Sequence, residues 1–406
     1  MTMITHPALR GHDGHPVRHR RAFSVPGVAT TSSWLLASVI TVLTMMGLVM
    51  VMSASSVISV RESGAPWSYA HRQVLWTALG VVALMITVSI SMDFWRRHAK
   101  IWLGVSVALL FAVIVPGVGI SANGATRWLG YGPVQVQPSE FVKLALLVFI
   151  ADLLARRMEH LDDWRWSVLP VVVYLGLVAG LVMIQPNLGT TMIIAAMVLT
   201  VLFCSGAPLR ALAVVAVAGV AAAAMFVAFT PFRRARFFSF LDPWADPNGV
   251  GIQNVQSMVG MANGGVFGRG LGESTVKWGY LPYAWTDFIF AVIGEEFGLV
   301  GAITVVLLFV ALAATGAWIA ASAQDRFSTL VAIGITAWLS IQAFMNIGAV
   351  IGVMPVTGVP LPFVSFGGSS LVINLAAVGM LLNIARHPSP SDDATPRSPA
   401  RARPAR

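Results

Sequence analysis

Apolar runs of about 20 residues recur along this chain, each long enough to cross the hydrocarbon core of a bilayer as a helix. In lipid every backbone N–H and C=O must find a partner within the structure, which leaves few solutions for such runs. They continue towards the C-terminus, so a cleaved signal peptide does not account for them. The composition is far from that of a soluble domain: 57% hydrophobic, 11% charged, mean hydropathy +0.78. The expected fold class is an all-α polytopic membrane protein with about ten transmembrane helices.

The ten spans are expected at 34–54, 74–92, 101–120, 140–155, 167–184, 189–206, 211–230, 287–318, 328–350 and 368–385. The eighth window is longer than one crossing needs. Residues 1–30 are polar and basic and are expected to form a disordered cytoplasmic tail. The ten-span domain covers 31–386, and 387–406, rich in Pro, Ser, Arg and Asp, form a second disordered tail. No internal repeat is evident, so an inverted-repeat transporter design has no support. The single cysteine, Cys204, excludes an intramolecular disulfide and a cysteine metal cluster.

Lys and Arg set the orientation. The net charge of +9 sits mostly in the tails and alternate short loops, as topology encoding does, so nucleic acid is not implied. With the N-terminus inside, both tails and the loops holding Arg96, Arg97, Lys100, Arg156, Arg157, Arg165, Arg210 and Arg326 are cytoplasmic. The large segment between spans seven and eight, 231–286, is then extracytoplasmic although it carries Arg233, Arg234, Arg236, Arg269 and Lys277. A long loop crosses regardless of charge. Its basic character points to an anionic ligand outside.

Several stretches interrupt the apolar pattern. The loop 231–286 has glycines at 264, 265, 268, 270 and 272; they either bring backbone close to a ligand, a weak phosphate-cradle signal, or form structural turns. In 123–147, Pro138, Ser139 and Glu140 read as a helix start. Glu140 and Lys143 share a face and form either a structural ion pair or a functional one. Arg127 and Trp128 either hold a phosphate or anchor the chain at the interface. Gln185–Thr190, "QPNLGT", reads as a tight turn. Residues 354–370, with three prolines and three glycines, read as irregular backbone packed against protein.

One apolar segment, "LPYAWTDFIFAVIGEEFG" at 281–298, holds three carboxylates. Asp287 falls at the mouth of span eight, where it either faces water and substrate or caps the helix. Glu295 and Glu296 lie roughly 12–14 Å deeper and are expected to pair inside the bundle.

These motifs in this order resemble the SEDS family, the FtsW/RodA-type peptidoglycan polymerases. The likeness spans roughly 34–386 and is carried by "SASSV" (53–57), "NGATRWLGYGPVQVQPSEFVKLAL" (123–146), "QPNLGT" (185–190) and "DPWADPNGVGIQNVQS" (242–257). It continues through "GGVFGRGLGES" (264–274), "LPYAWTDFIFAVIGEEFGLVG" (281–301) and "NIGAVIGVMPVTGVPLPFVSFGGSS" (346–370). Residues 47–57 and 355–370 look more like the division member, FtsW, than the elongation member, RodA. The resemblance implies a glycosyltransferase that polymerises lipid II, a polyprenyl diphosphate-linked disaccharide peptide, at the outer face of the cytoplasmic membrane, at the division septum. It implies Asp287 as the catalytic carboxylate, and Glu140 and Lys143 match positions the family treats as important in its central cavity. By their charge Arg127, Arg233, Arg236, Arg269, Lys277 and Lys143 are the candidates to contact an anionic substrate, with Gln253 and Ser257 as further expected substrate contacts. It also implies a class b penicillin-binding protein as transpeptidase partner, among other division proteins. The family commonly has Glu and His where Tyr283 and Trp285 stand, and Asp where Asn187 stands.

The chemistry follows from the bond made. An α-linked diphosphate becomes a β-linked glycan, so one inverting displacement suffices, with one general base and a stabilised leaving group. Cations must balance the departing diphosphate, with a divalent ion, Mg or Mn, as a further candidate and no protein-bound metal assigned. The competing readings are a lipid II flippase or transporter, a RodA-type elongation polymerase, or a scaffold that recruits division proteins.

Overall fold

The computed structural model describes residues 30–122, 125–132 and 134–388. Both expected disordered tails lie, almost entirely, outside the described residues. Helices run α1 (Thr31–Ser63), α2 (Ser68–Ser89), α3 (Met92–Arg97) and α4 (Ala99–Ile114), then α5 (Pro138–Ala155), α6 (Val168–Ile184), α7 (Leu188–Ser205) and α8 (Leu209–Ala228). They continue with α9 (Pro231–Leu241), α10 (Ile252–Gly264), α11 (Ile289–Ala321), α12 (Arg326–Val350) and α13 (Gly368–Ala385). Seven of them are long and apolar enough to cross a membrane: α1, α2, α7, α8, α11, α12 and α13. α4 and α6 are shorter apolar helices. α5 carries Glu140, Lys143 and Asp152 along its 18 residues. Each of these ten overlaps one expected span, and the chain is a multi-pass membrane protein.

α12 is the axis of the bundle, packed against α11, α7, α5 and α13. α13 lies along α2, and 83% of its apolar window is buried. α8 is the opposite case: only Leu212 is buried, while Val214, Val217, Val220 and Met225 point outward. For a membrane helix this is a lipid-facing surface, since lipid gives no penalty for exposed valine. At the end of α5 away from Glu140, Asp152 is neutralised by Arg96 Nε at 2.9 Å and Arg156 Nε at 2.8 Å.

The structure corrects the third span and the large loop. α4 stops at Ile114, before Pro116 and Gly117, and the chain then forms a small antiparallel sheet in the order β1 (Ile120–Ala122), β2 (Ala125–Tyr131), β3 (Val134–Val136). Leu129 pairs with Val136 and Tyr131 with Val134. The segment 231–286 is also not irregular throughout. It holds α9, started by Pro231 at its first position, and α10.

The long eighth window is two half-helices. Gly298 interrupts α11 with φ 66° and ψ −162°, a conformation essentially restricted to glycine. The break frees backbone groups, and the glycine-rich loop repairs them. Arg269 N and Gly270 N donate to the carbonyls of Glu295 and Glu296, each at 3.0 Å; Leu299 N and Val300 N donate to Gly265 O and Val266 O at 2.9 and 3.2 Å. A Cβ at Gly264 or Gly268 would meet the main chain of α11. Gly264 and Gly268 thus bring backbone to backbone across the break.

Candidate active site

The irregular stretches of the sequence converge on Asp287, immediately before α11. Three consecutive carbonyls in front of that helix are each held by the chain around the end of α12. Phe366 N donates to Trp285 O (3.0 Å), Ser365 Oγ to Thr286 O (2.6 Å) and Asn346 Nδ2 to Asp287 O (2.7 Å). Asn346 Nδ2 also donates to Val359 O at 2.8 Å. The clamp leaves the Asp287 side chain free to project. α11 has no side-chain cap, so the carboxylate is not spent on its N-terminus. Gly358 passes in front: with φ 70°, it takes a left-handed turn, and a Cβ there would stand 3.5 Å from Asp287 Oδ2.

The charges around Asp287 are positive. Arg127 on β2 and Arg236 on α9 both act on its carboxylate, and Arg233, one turn before Arg236, acts on Arg127. Asp287 is half-buried by its own surface but ringed by protein. Burial pushes its carboxyl up to about 6, against the pull of Arg236 and Arg127. Burial lowers all three guanidiniums from their ordinary value; for Arg127 the repulsion of Arg233 adds to it. Two guanidiniums beside one carboxylate, with a third, Arg233, acting on Arg127, make a basic site that a polyanion would suit.

Each arginine is held. Arg127 Nε donates to Gln185 O at 2.9 Å and its Nη2 to Pro186 O, tying β2 to the turn before α7. Arg236 Nη2 donates to Gln253 Oε1 at 2.7 Å. Arg233 donates to Thr230 Oγ1 at 3.1 Å and lies 3.8 Å over the Phe226 ring. In the same turn Asn187 caps α7 by accepting from Thr190 N at 3.3 Å, a task Asn performs as well as Asp.

The other expected substrate residues lie away from Asp287 and make contacts within the protein. Lys143 and Glu140 form a fully buried pair at 2.9 Å. Lys143 Nζ donates to Gln342 Oε1 at 3.0 Å and sits 4.5 Å over the Trp338 ring, binding α5 to α12. Lys277 is buried on Glu296 (3.3 Å), Ser53 Oγ (3.2 Å) and the Gly272 carbonyl. Arg269 lies 3.5 Å from Glu295, whose carboxylate also accepts from Ser274 Oγ and the amides of Thr275 and Val276. Ser257 is buried and donates to Val350 O at 2.8 Å. Buried ions need partners, and Lys143 and Lys277 find theirs inside the protein.

Sequence reasoning missed Asn346, Gln342 and Ser365. Gln342 and Asn346 are amides one turn apart in an apolar helix, and that was the available signal. Gln342 accepts from Lys143 and Trp338 Nε1 and donates to Pro360 O at 2.9 Å. One face of α12 therefore links the Lys143 pair to the backbone around Asp287.

Among the described residues no group of three or more His, Cys, Asp or Glu is placed to hold a metal ion. One carboxylate amid guanidiniums does not fit a protein-held Mg or Mn, which take oxygen ligands.

Fold and site together define a multi-pass membrane protein with a basic site around one carboxylate at one end of its bundle. The profile of the FtsW, RodA and SpoVE family, described as a cell cycle protein, matches residues 33–389. Stage V sporulation protein E of Bacillus subtilis is 39% identical over 361 residues, covering 88% of this chain and 98% of that protein. The probable peptidoglycan glycosyltransferase FtsW of Mycobacterium tuberculosis is 40% identical over 361 residues, covering 89% and 69%. A chain solved for the coordination of polymerization and crosslinking by a peptidoglycan synthase complex is 32% identical, with a TM-score of 0.72, covering 87% of this chain and 97% of that one. This chain belongs to the FtsW/RodA/SpoVE family.

Proposed function

We propose that this chain is a peptidoglycan glycosyltransferase that polymerises lipid II at the outer face of the cytoplasmic membrane during cell division. The observation that carries this reading is Asp287, clamped by its backbone, with Arg127 and Arg236 acting on it and Arg233 beside Arg127. The Lys and Arg bias supports a topology of ten crossings with both termini in the cytoplasm and the Asp287 end outside. The names of the relatives support the reaction and the division role. A transpeptidase of the penicillin-binding class is the partner, supported by the similar chain from a synthase complex.

In the reaction, Asp287 accepts the proton of the acceptor 4-hydroxyl. The oxygen attacks the anomeric carbon from the face opposite the diphosphate, a C–O bond forms, and the C–O bond to the diphosphate breaks. A carboxyl titrating near 6 is mostly ionised at neutral pH, yet a better proton acceptor than an ordinary Asp. The charge that grows on the leaving diphosphate meets the three guanidiniums, which are fixed before it develops. The polyprenyl tail stays in lipid. A flippase would need polar groups open along the bundle. Here Glu140, Asp152, Glu295 and Glu296 are each neutralised by partners inside the protein.

The test is reconstitution of the purified protein and its partner transpeptidase with lipid II. Glycan strands support the proposal; lipid II moved across the bilayer without strands overturns it.

A further inference from the structure

One cluster beside the site has no role in this reaction scheme. Tyr69, at the start of α2, lies 5.6 Å from Trp285 between ring centroids, with planes 58° apart, and 5.1 Å from Phe366 at 71°. Tyr283 lies 6.2 Å from Trp285 at 48°. The pairs are tilted or edge-on rather than stacked. The rim is polar: Tyr69 Oη donates to Glu62 Oε2 at 2.7 Å, and the Arg72 guanidinium stands 5.8 Å over the Tyr69 ring.

Trp285 packs partly against the core, but Tyr283 keeps 39% of its surface and Tyr69 is only partly buried. The backbone of Tyr283 is also unusual, with φ 61°, the left-handed region that residues other than glycine rarely enter. Its carbonyl accepts from Thr286 N (3.1 Å) and Phe288 N (3.4 Å), so this strained turn sets the entry to Asp287. Tyr283 is close enough to Arg236 to act on its charge. The aromatic cluster and the arginine cluster therefore meet at Tyr283, with Asp287 four residues on.

Half-exposed aromatic faces with a polar rim suit one ligand chemistry. A pyranose presents a face of C–H groups that stacks on an aromatic ring, while its hydroxyl and acetamido groups reach polar neighbours. A diphosphate has no such face and belongs with the arginines. We infer that Tyr69, Tyr283 and Trp285 form the subsite for the N-acetylated sugar that supplies the acceptor 4-hydroxyl to Asp287. This rests on the proposed glycosyl transfer and names which partner of that reaction each side of the site takes.

The probe is a lipid-free tetrasaccharide of alternating N-acetylglucosamine and N-acetylmuramic acid, titrated into the purified full-length protein by saturation-transfer NMR. Tyr283→Gly removes a ring yet suits the left-handed backbone, so it folds at least as well as wild type. It and Trp285→Leu are expected to weaken binding about three- to tenfold, the worth of an aromatic contact. Trp285→Phe keeps a ring and should bind nearly as well as wild type. Asp287→Asn should bind the sugar normally while losing turnover. That arm separates the two readings, because sugar binding is scored whether or not Asp287 proves to be the base. Unchanged affinity in Tyr283→Gly and Trp285→Leu, or no sugar binding by wild type, overturns the subsite.

Discussion

Asp287→Asn preserves the size and backbone clamp of the residue but removes its capacity to take a proton. At pH 7 a carboxyl titrating near 6 is about 90% ionised, so nearly all wild-type molecules carry the base. Loss of a positioned base costs roughly 10²–10⁴-fold, or about 3–5.5 kcal/mol of barrier. The pH profile sharpens the test. Wild-type polymerisation should rise with unit slope and level off above pH ~6, whereas an unperturbed Asp would level off near pH ~4. Arg236→Gln removes a cation that favours the carboxylate, so the limb should move to higher pH as well as the rate falling. The assay is glycan-strand formation from lipid II by purified protein with its partner transpeptidase, across pH 4.5–8, with melting temperature as the folding control. Activity of Asp287→Asn within about threefold of wild type would refute the assignment. So would a limb that stays in place when Asp287 is replaced.

Three further outcomes are expected. A cysteine at position 250, with Cys204 replaced by serine, should react with an impermeant thiol reagent on intact spheroplasts; reaction only after lysis would reverse the topology. Lys143→Met strands the buried Glu140 charge and should cost about 3–5 kcal/mol of stability, while adding Glu140→Gln should recover part of it; strict additivity in melting experiments would mean the two act separately. Gly298→Ala should lower the melting temperature by several degrees, because the new Cβ meets Gly268 N and Val266 O in a backbone conformation closed to alanine; a wild-type melt would show that the break in α11 is dispensable.

The helices were legible because span length and hydropathy are local properties, and all ten apolar windows became helices. The sheet at 120–136 was not read, since short strands between spans carry little periodicity. Asp287 was legible as a carboxylate where a basic loop meets a span. Arg127, Arg233 and Arg236 were grouped with it by charge, and so were Lys277 and Arg269, which carry the same charge. Only the fold shows that Glu295 and Glu296 take them. The clamp from Asn346 and Ser365 was invisible because it joins residues about 60 and 80 positions apart through backbone carbonyls.

The seam between the glycine-rich loop and broken α11 is made of main-chain atoms on both sides. Its bonds therefore count residues rather than read their identity. Side chains at 266, 267 and 271 do not enter these bonds, but one residue inserted or lost between Val266 and Arg269 puts the two pairs of bonds out of step with each other. The loop that carries the arginines is thus fastened to the bundle by a fixed length of chain, and evolution can repaint that length far more easily than it can change it.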